Sequence, residues 1–301
     1  MNTAQKITDD QLNQFLNKHD MNFDVEMKPT HITVDDNQIS TGGYVAMRTD
    51  TNTPLGRGGL SEGFHPIQNR DAFRIITEMS GVTGLEMKNG GSWGNGTGIY
   101  AQVSLGDFQV GKSNNGDAVG KYLTIVNSHD GSKGMQILIT PFRYFCKNQI
   151  AASIRNANEN QKISIRHTAS ASIRLEELIQ TVKIADGTFV ETQEIYNELA
   201  SKTVTNDHAR EVLNQLFPKP EQETGRAATI YDNKVLSVWE KYHYADGGRI
   251  QTNTAWNLYN AVQGTFQHDS KNTAAKQKSI LMGSIAQKSK DSLQAVMEIC
   301  L

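Results

Sequence analysis

Residues 119–182 read VGKYLTIVNSHDGSKGMQILITPFRYFCKNQIAASIRNANENQKISIRHTASASIRLEELIQTV, and the order of patterns in them decides the fold class. Two β-branched runs, YLTIV and MQILIT, flank the polar turn Asn127-Ser128-His129-Asp130-Gly131-Ser132, which predicts an antiparallel hairpin. From Phe142 to about residue 156 the apolar spacing turns helical. The basic stretch Lys162-Ile163-Ser164-Ile165-Arg166-His167 follows, and Leu175, Leu178, Ile179 and Val182 then line one face of a second helix.

Upstream, Leu12, Phe15 and Leu16 predict a helix over Asp9–Lys18, and residues 31–50 predict two short strands around a polar turn. Phe73 and Ile76 mark a helix over 71–80. Residues 85–140 alternate as strands between glycine-rich turns. The stretch NGGSWGNGTG (89–98) reads as a mobile loop whose Trp93 is a clamp over a ligand or a plug in the core. Downstream of residue 186 the character is helical. Helices are expected over 195–199, 209–217, 235–242, 254–268 and about 273–299, with Pro218 and Pro220 breaking the run. The expected class is α+β, an antiparallel sheet with flanking helices in the N-terminal half and a mostly helical C-terminal half. The expected division is 1–185 and 186–301.

Composition narrows the function classes. The 301 residues include 37% apolar and 7% aromatic positions, enough for a core, and no apolar run long enough to span a bilayer. The start MNTAQKITDDQLNQF has neither the basic nor the apolar part of a signal peptide. Two cysteines far apart, Cys146 and Cys300, fit packing roles in a reducing compartment. A soluble protein of the host cell cytoplasm, with no membrane partner, is expected.

The formal charge of −2 hides a segregated pattern. Residues 1–36 carry three Lys against seven acids, residues 133–183 eight Lys/Arg against three Glu, and residues 184–225 three Lys/Arg against eight acids. Such segregation sets up a local positive field on a nearly neutral chain.

Catalytic motifs are weak. Residues 106–113, GDFQVGKS, satisfy the spacing of a phosphate loop, whose lysine must open a helix with its N-terminus facing the anion. Here Ser113 runs into the turn Asn114-Asn115-Gly116-Asp117 and then a strand. The eight histidines show no metal-ligand spacing, and Asp232, Glu240 and Asp246 read as ordinary helix-surface carboxylates. No catalytic residue, metal or cofactor is assigned.

The basic stretch is the better lead. On the expected helix, Arg143 and Lys147 share a face and Arg155 lies partly round from them, with Tyr144 and Phe145 interleaved. Lys162, Arg166 and His167 follow. Cations that neutralise phosphates, together with aromatic side chains that stack on bases, hold single strands without sequence preference. The competing reading buries Tyr144 and Phe145 and pairs Arg143 with a carboxylate. The lysines at 271, 276, 278, 288 and 290 read as a solvated helix face.

The blocks PLGRGGLSEGFHPIQNRDAF, YLTIVNSHDGSKGMQILITPFRYFCKNQI, ISIRHT and TAWNLYNAVQGTFQH resemble the phage/plasmid-like protein family (domain of unknown function 932) over about residues 40–295. The resemblance implies a mobile-element context and no agreed activity. The central order of helix, antiparallel strands and helix is also similar to the core of phage single-strand annealing proteins, which assemble into rings or filaments. The expectation is therefore a phage or plasmid DNA-binding protein of replication and recombination. It would act as a homo-oligomer that binds single-stranded DNA and anneals complementary strands without a cofactor. Arg143, Lys147, Arg155, Lys162, Arg166 and His167 would hold phosphates, with Tyr144 or Trp93 stacking. The alternative is a protein-binding module that counters a host defence system or organises phage assembly.

Overall fold

The computed structural model describes residues 7–78, 86–111, 116–143, 148–149, 162–171, 185–222, 224–244, 253–271 and 273–301. The chain opens with α1 (Asp9–Lys18). Thr8 starts it with a capping box: the Gln11 N–H donates to the Thr8 hydroxyl and the Thr8 N–H to the Gln11 side chain. Leu12, Phe15 and Leu16 form its buried face.

The strands β1 (Val25–Val34), β2 (Asn37–Arg48) and β3 (Thr53–Pro54) form an antiparallel three-stranded sheet in that order. Asp35 and Asp36 both take positive φ, 47° and 64°, as a two-residue hairpin turn of the primed type requires. The hairpin is longer than the two short strands expected, because a bulge between Pro29 and His31 lets pairing continue past an irregular register. At its root the buried Arg48 guanidinium forks between Asp20 (2.9 and 2.5 Å) and Asp50 (2.7 and 2.8 Å) and lies 4.1 Å over the Phe23 ring.

After α2 (Asn69–Glu78), the strands β4 (Glu86–Trp93), β5 (Gly98–Val110), β6 (Asp117–Ser128), β7 (Met135–Arg143) and β8 (Asn148–Gln149) form a sheet in that order, and β9 (Lys162–Ile165) pairs with β7. The glycine-rich stretch 89–98 is therefore not a mobile loop. It is most of β4 and a short 3-10 turn, and Trp93 is a core plug. Its glycines make room for rings. A Cβ at Gly98, the cross-strand partner of Trp93, would sit 2.1 Å from the indole.

The helix expected from Phe142 is corrected over the described residues. Phe142 and Arg143 end β7, and β8 pairs back onto both. The alternation of MQILIT carries through Pro141, so the period of two wins over the helical spacing read there. Arg143 is buried and ion-paired with Asp117, which also accepts the Trp256 indole N–H at 3.0 Å. The helix expected around Leu175 lies outside the described residues.

The C-terminal helices are α3 (Ala185–Ser201), α4 (Asn206–Leu216), α5 (Arg226–Tyr244), α6 (Ala255–His268), α7 (Ala274–Met282) and α8 (Ser284–Cys300). Threonines cap three of them: Thr205, Thr254 and Thr273 each accept a backbone N–H of the first turn. The single helix expected over 273–299 is broken at Gly283, whose extended backbone passes within 2.8 Å (at an added Cβ) of the Ser279 Cα. Nearly every residue of α6 is buried. Trp256 and Tyr259 join Tyr196 of α3 in an aromatic cluster, the Tyr196 and Trp256 rings 4.6 Å apart. Its buried Gln263 amide donates to Ser292 (2.7 Å) and accepts from Ser289 (2.6 Å), both on α8.

The chain divides into two compact units. The first comprises residues 1–106, 122–139 and 157–186, and the second residues 107–121, 140–156 and 187–301. A cut near 186 thus separates the last helices, but the ends of the central hairpins group with them.

Removing one member of a buried ion pair strands the other charge. Asp117→Ala is expected to destabilise the protein by about 3–5 kcal/mol. Denaturant unfolding of the variant beside Asp117→Asn, which keeps an acceptor for the Trp256 N–H, measures this.

Candidate nucleic-acid interface

In the first unit, residues 55–68 form a strap between β3 and α2. It is sewn down by backbone bonds. Tyr44 and Leu60 exchange N–H···O bonds of 2.9 Å, and the His65 N–H donates to the His167 carbonyl at 3.1 Å. Leu55, Leu60 and Ile67 point inward, whereas Arg57, Glu62 and His65 are exposed. Leu60 seats against the NSHDGS turn at Gly131, where φ is +72° and a Cβ would lie 2.6 Å from the Leu60 side chain. Only glycine serves at that point.

Beneath the strap lie two histidines. His129 leaves the end of β6 and is held by its N–H donating to the Thr97 carbonyl at 2.8 Å. Its Nε2 is 2.8 Å from the Asn69 side-chain oxygen. Asn69 spends its amide nitrogen on the carbonyls of Met21 (2.9 Å) and Phe23 (3.4 Å), so the oxygen is the acceptor and His129 Nε2 carries the proton. His167, just after β9, accepts the Ile67 N–H on Nδ1 at 3.1 Å, which leaves its proton on Nε2. Phe64 of the strap stacks on His167 with centroids 4.8 Å apart, and Asn127 donates to the Ile67 carbonyl at 2.8 Å.

Burial pushes the His129 pKa down to about 3, helped by the neighbouring His167 and opposed by Asp130. Burial likewise pushes His167 down to about 4, against the backbone groups of His65 and Ser128 and the charge of Asp130. Both rings are therefore neutral at physiological pH, and both serve as fixed hydrogen-bonding wedges.

This latch decides what reaches the surface. The bond from His65 to His167 sets the strap alongside the end of β9, and Arg166, one residue before the latch, is exposed. The latched segments thus carry three exposed side chains, Arg57 and His65 on the strap and Arg166 beside the latch, with the half-buried Phe64 stacked on His167. Glu62 is on the strap as well, and Asp130 is held by Ser132 at 3.0 Å (N–H) and 2.6 Å (hydroxyl).

Of the residues expected to meet a strand, Arg166 is the one whose described side chain is exposed. His167, Trp93 and Arg143 are interior: the first is the latch, the second packs on Tyr100, the third is neutralised by Asp117. Lys162 occupies β9 opposite Leu138. Tyr144, Lys147 and Arg155 lie outside the described residues. Arg57 and His65 were not in the expected set. Their signal was the strap sequence PLGRGGLSEGFH, in which an arginine between glycines has no side-chain neighbour to hide it.

Residues 106–110 of the phosphate-loop match belong to β5, and β6 begins at Asp117, with Lys112 and Ser113 outside the described residues. Among the described residues no group of three or more His, Cys, Asp or Glu is placed to hold a metal ion, and no helix is long and apolar enough to cross a membrane.

Most of the strap, the NSHDGS turn and α6 fall inside one family match. The model of a domain of unknown function, DUF932, covers residues 58–293. The chain belongs to the DUF932 family. No curated protein and no solved structure matches it. The DUF932 region begins within the strap, so the latch, both histidines and Arg166 are family territory, whereas Arg57 and the β1–β2 hairpin precede it.

Two histidines whose folded pKa values lie below the unfolded value of about 6.5 make stability depend on pH. Their contribution is complete above about pH 6.5 and is lost as pH falls toward the folded values, because the unfolded chain takes up protons first. Between pH 7 and pH 5 each is expected to remove about 2 kcal/mol. Urea unfolding at the two pH values checks this, and His167→Gln is expected to halve the pH dependence whatever it does to stability at pH 7.

Proposed function

We propose that the protein binds single-stranded nucleic acid, DNA in a phage or plasmid setting, across the side of the first unit that carries Arg57, His65 and Arg166. The observation that carries this reading is the backbone bond from the His65 N–H to the His167 carbonyl. It joins two segments a hundred residues apart, the strap with its exposed Arg57 and the end of β9 with its exposed Arg166. Two exposed arginines and a half-buried aromatic ring suit a phosphate backbone with splayed bases. Neither feature reads base edges, so the binding is sequence-tolerant.

A protein that neutralises two strands while leaving their bases accessible promotes annealing. That step needs no nucleotide hydrolysis and no cofactor, since base pairing supplies the free energy. The acids Glu62 and Asp130 temper the field on this side, which favours reversible binding over tight capture.

The test is fluorescence anisotropy with a labelled single-stranded oligonucleotide across a salt series, beside the matching duplex. Wild type is expected to prefer the single strand and to weaken steeply with salt. The double variant Arg57→Ala/Arg166→Ala is expected to bind more weakly and to lose about 1.4 from the slope of log K against log salt, ~0.7 per phosphate contact. Equal affinity and slope in wild type and variant would remove this side of the protein as the interface.

A further inference from the structure

Three interior polar atoms around the latch have no hydrogen-bond partner: Nδ1 of His129, Nε2 of His167 and the side-chain oxygen of Asn127. Asn127 and His129 are 0% exposed and His167 is 6% exposed. The other polar side-chain atom of each residue is engaged, and this fixes the character of the free one. His129 donates from Nε2 to Asn69, which leaves a lone pair on Nδ1. His167 accepts the Ile67 N–H on Nδ1, which leaves a proton on Nε2. Asn127 donates its amide to the Ile67 carbonyl, which leaves an acceptor oxygen. One donor and two acceptors are thus buried and free.

The same contacts bring the three residues together. Ile67 gives its N–H to His167 and its carbonyl to Asn127, so these two side chains flank one residue. Asn69, two residues further on, holds the other imidazole. Asn127 ends β6 with Ser128, and His129 follows. Asn127 and His129 therefore fall on one face, while Ser128, whose hydroxyl is also unpartnered, alternates to the other. The Ser128 backbone lies beside the His167 ring. The two imidazole centroids are 6.4 Å apart, with the rings inclined at 59°. Imidazoles bonded nitrogen to nitrogen have centroids no more than about 5 Å apart, so the His167 N–H does not reach the His129 lone pair directly. Buried donors and acceptors left bare are costly, which makes a bridging molecule favourable here.

We infer that these residues bind one water molecule, which accepts the His167 Nε2–H and donates to His129 Nδ1 and to the Asn127 oxygen. The chemistry of the three atoms selects the ligand. A metal cation would face the His167 proton, and an anion would face the lone pairs of His129 and Asn127. A neutral molecule that both donates and accepts satisfies all three, and burial of every residue around it restricts the choice to the smallest such molecule. Three protein partners are the usual complement of an interior water. Bound there, the water turns two separate histidine contacts into one continuous chain, Asn69–His129–water–His167–Ile67. That chain runs from the start of α2 to the end of the strap and joins both imidazoles to it. This inference is independent of nucleic-acid binding.

A crystal structure of the full chain at neutral pH, resolved well enough to show ordered solvent, tests it. One water is expected ~2.7–3.2 Å from each of the three atoms. Solution NMR of the chain with isotope-labelled histidine reads the same place. Both rings are expected as Nε2–H tautomers, with a cross-peak between the His167 Nε2 proton and a water that tumbles with the protein. His129→Phe, which keeps a ring and removes the acceptor, is expected to lose that cross-peak while the Ile67 amide stays bonded to His167. Should that variant misfold, the two wild-type measurements decide. No ordered water between the rings, an ion in its place, or a His167 N–H bonded instead to the Ser128 carbonyl overturns the inference. So does a His129 ring protonated on Nδ1, or a cross-peak that survives His129→Phe.

Discussion

One imidazole holds the first unit together. His167 receives the Ile67 N–H on one nitrogen, lends its carbonyl to the His65 N–H, and carries the Phe64 ring on its face. The strap, the entry to α2 and the end of β9 all meet there. Its partner His129 ties the NSHDGS turn to Asn69, which in turn gathers the carbonyls of Met21 and Phe23. Five segments remote in sequence thus share one short chain of hydrogen bonds. A buried polar group is costly unless satisfied, so such a chain specifies a single arrangement more sharply than apolar packing does. Burial keeps both rings neutral, so that His129 donates from Nε2 to Asn69 while His167 accepts the Ile67 N–H on Nδ1.

Much of the fold was legible because its elements obey simple periodicities. Leu12, Phe15 and Leu16 repeat at helical spacing behind a capping threonine, and α1 has the limits read from the sequence. The α+β class, with sheet first and helices last, follows from the same patterns. The misreadings came where local pattern and tertiary context compete. Residues 89–98 looked like a loop because glycine has little strand propensity, but there it clears space for Phe15, Phe23 and Trp93. At its described start the helix read from Phe142 gives way to the end of β7, because Arg143 is committed to Asp117, a partner remote in sequence and invisible to any window. Gly283 split one helix into two for a backbone approach that periodicity does not report.

The candidate interface was less legible for a related reason. A basic stretch identifies charge, not exposure. Arg143 is neutralised inside the protein and Arg166 faces solvent, yet both count the same in a sum over residues 133–183. His167 looked like a phosphate contact and is instead the latch. Arg57 and His65 escaped notice because the strap reads as turn material, and only the fold brings it to the end of β9.

The latch also has a consequence in time. The donor at Ile67 and the acceptor at His167 are 100 residues apart along the chain. At a synthesis rate of roughly 5–20 residues per second, the strap waits on the order of 5–20 seconds for its partner to be made. During that interval Leu55, Leu60 and Ile67 have no finished bed to lie in. The nascent chain therefore carries the exposed Ile32, Val34 and Ile39 of its β1–β2 hairpin and an unseated strap at the same moment, and its ribosome-bound life is when it most needs shielding from its neighbours.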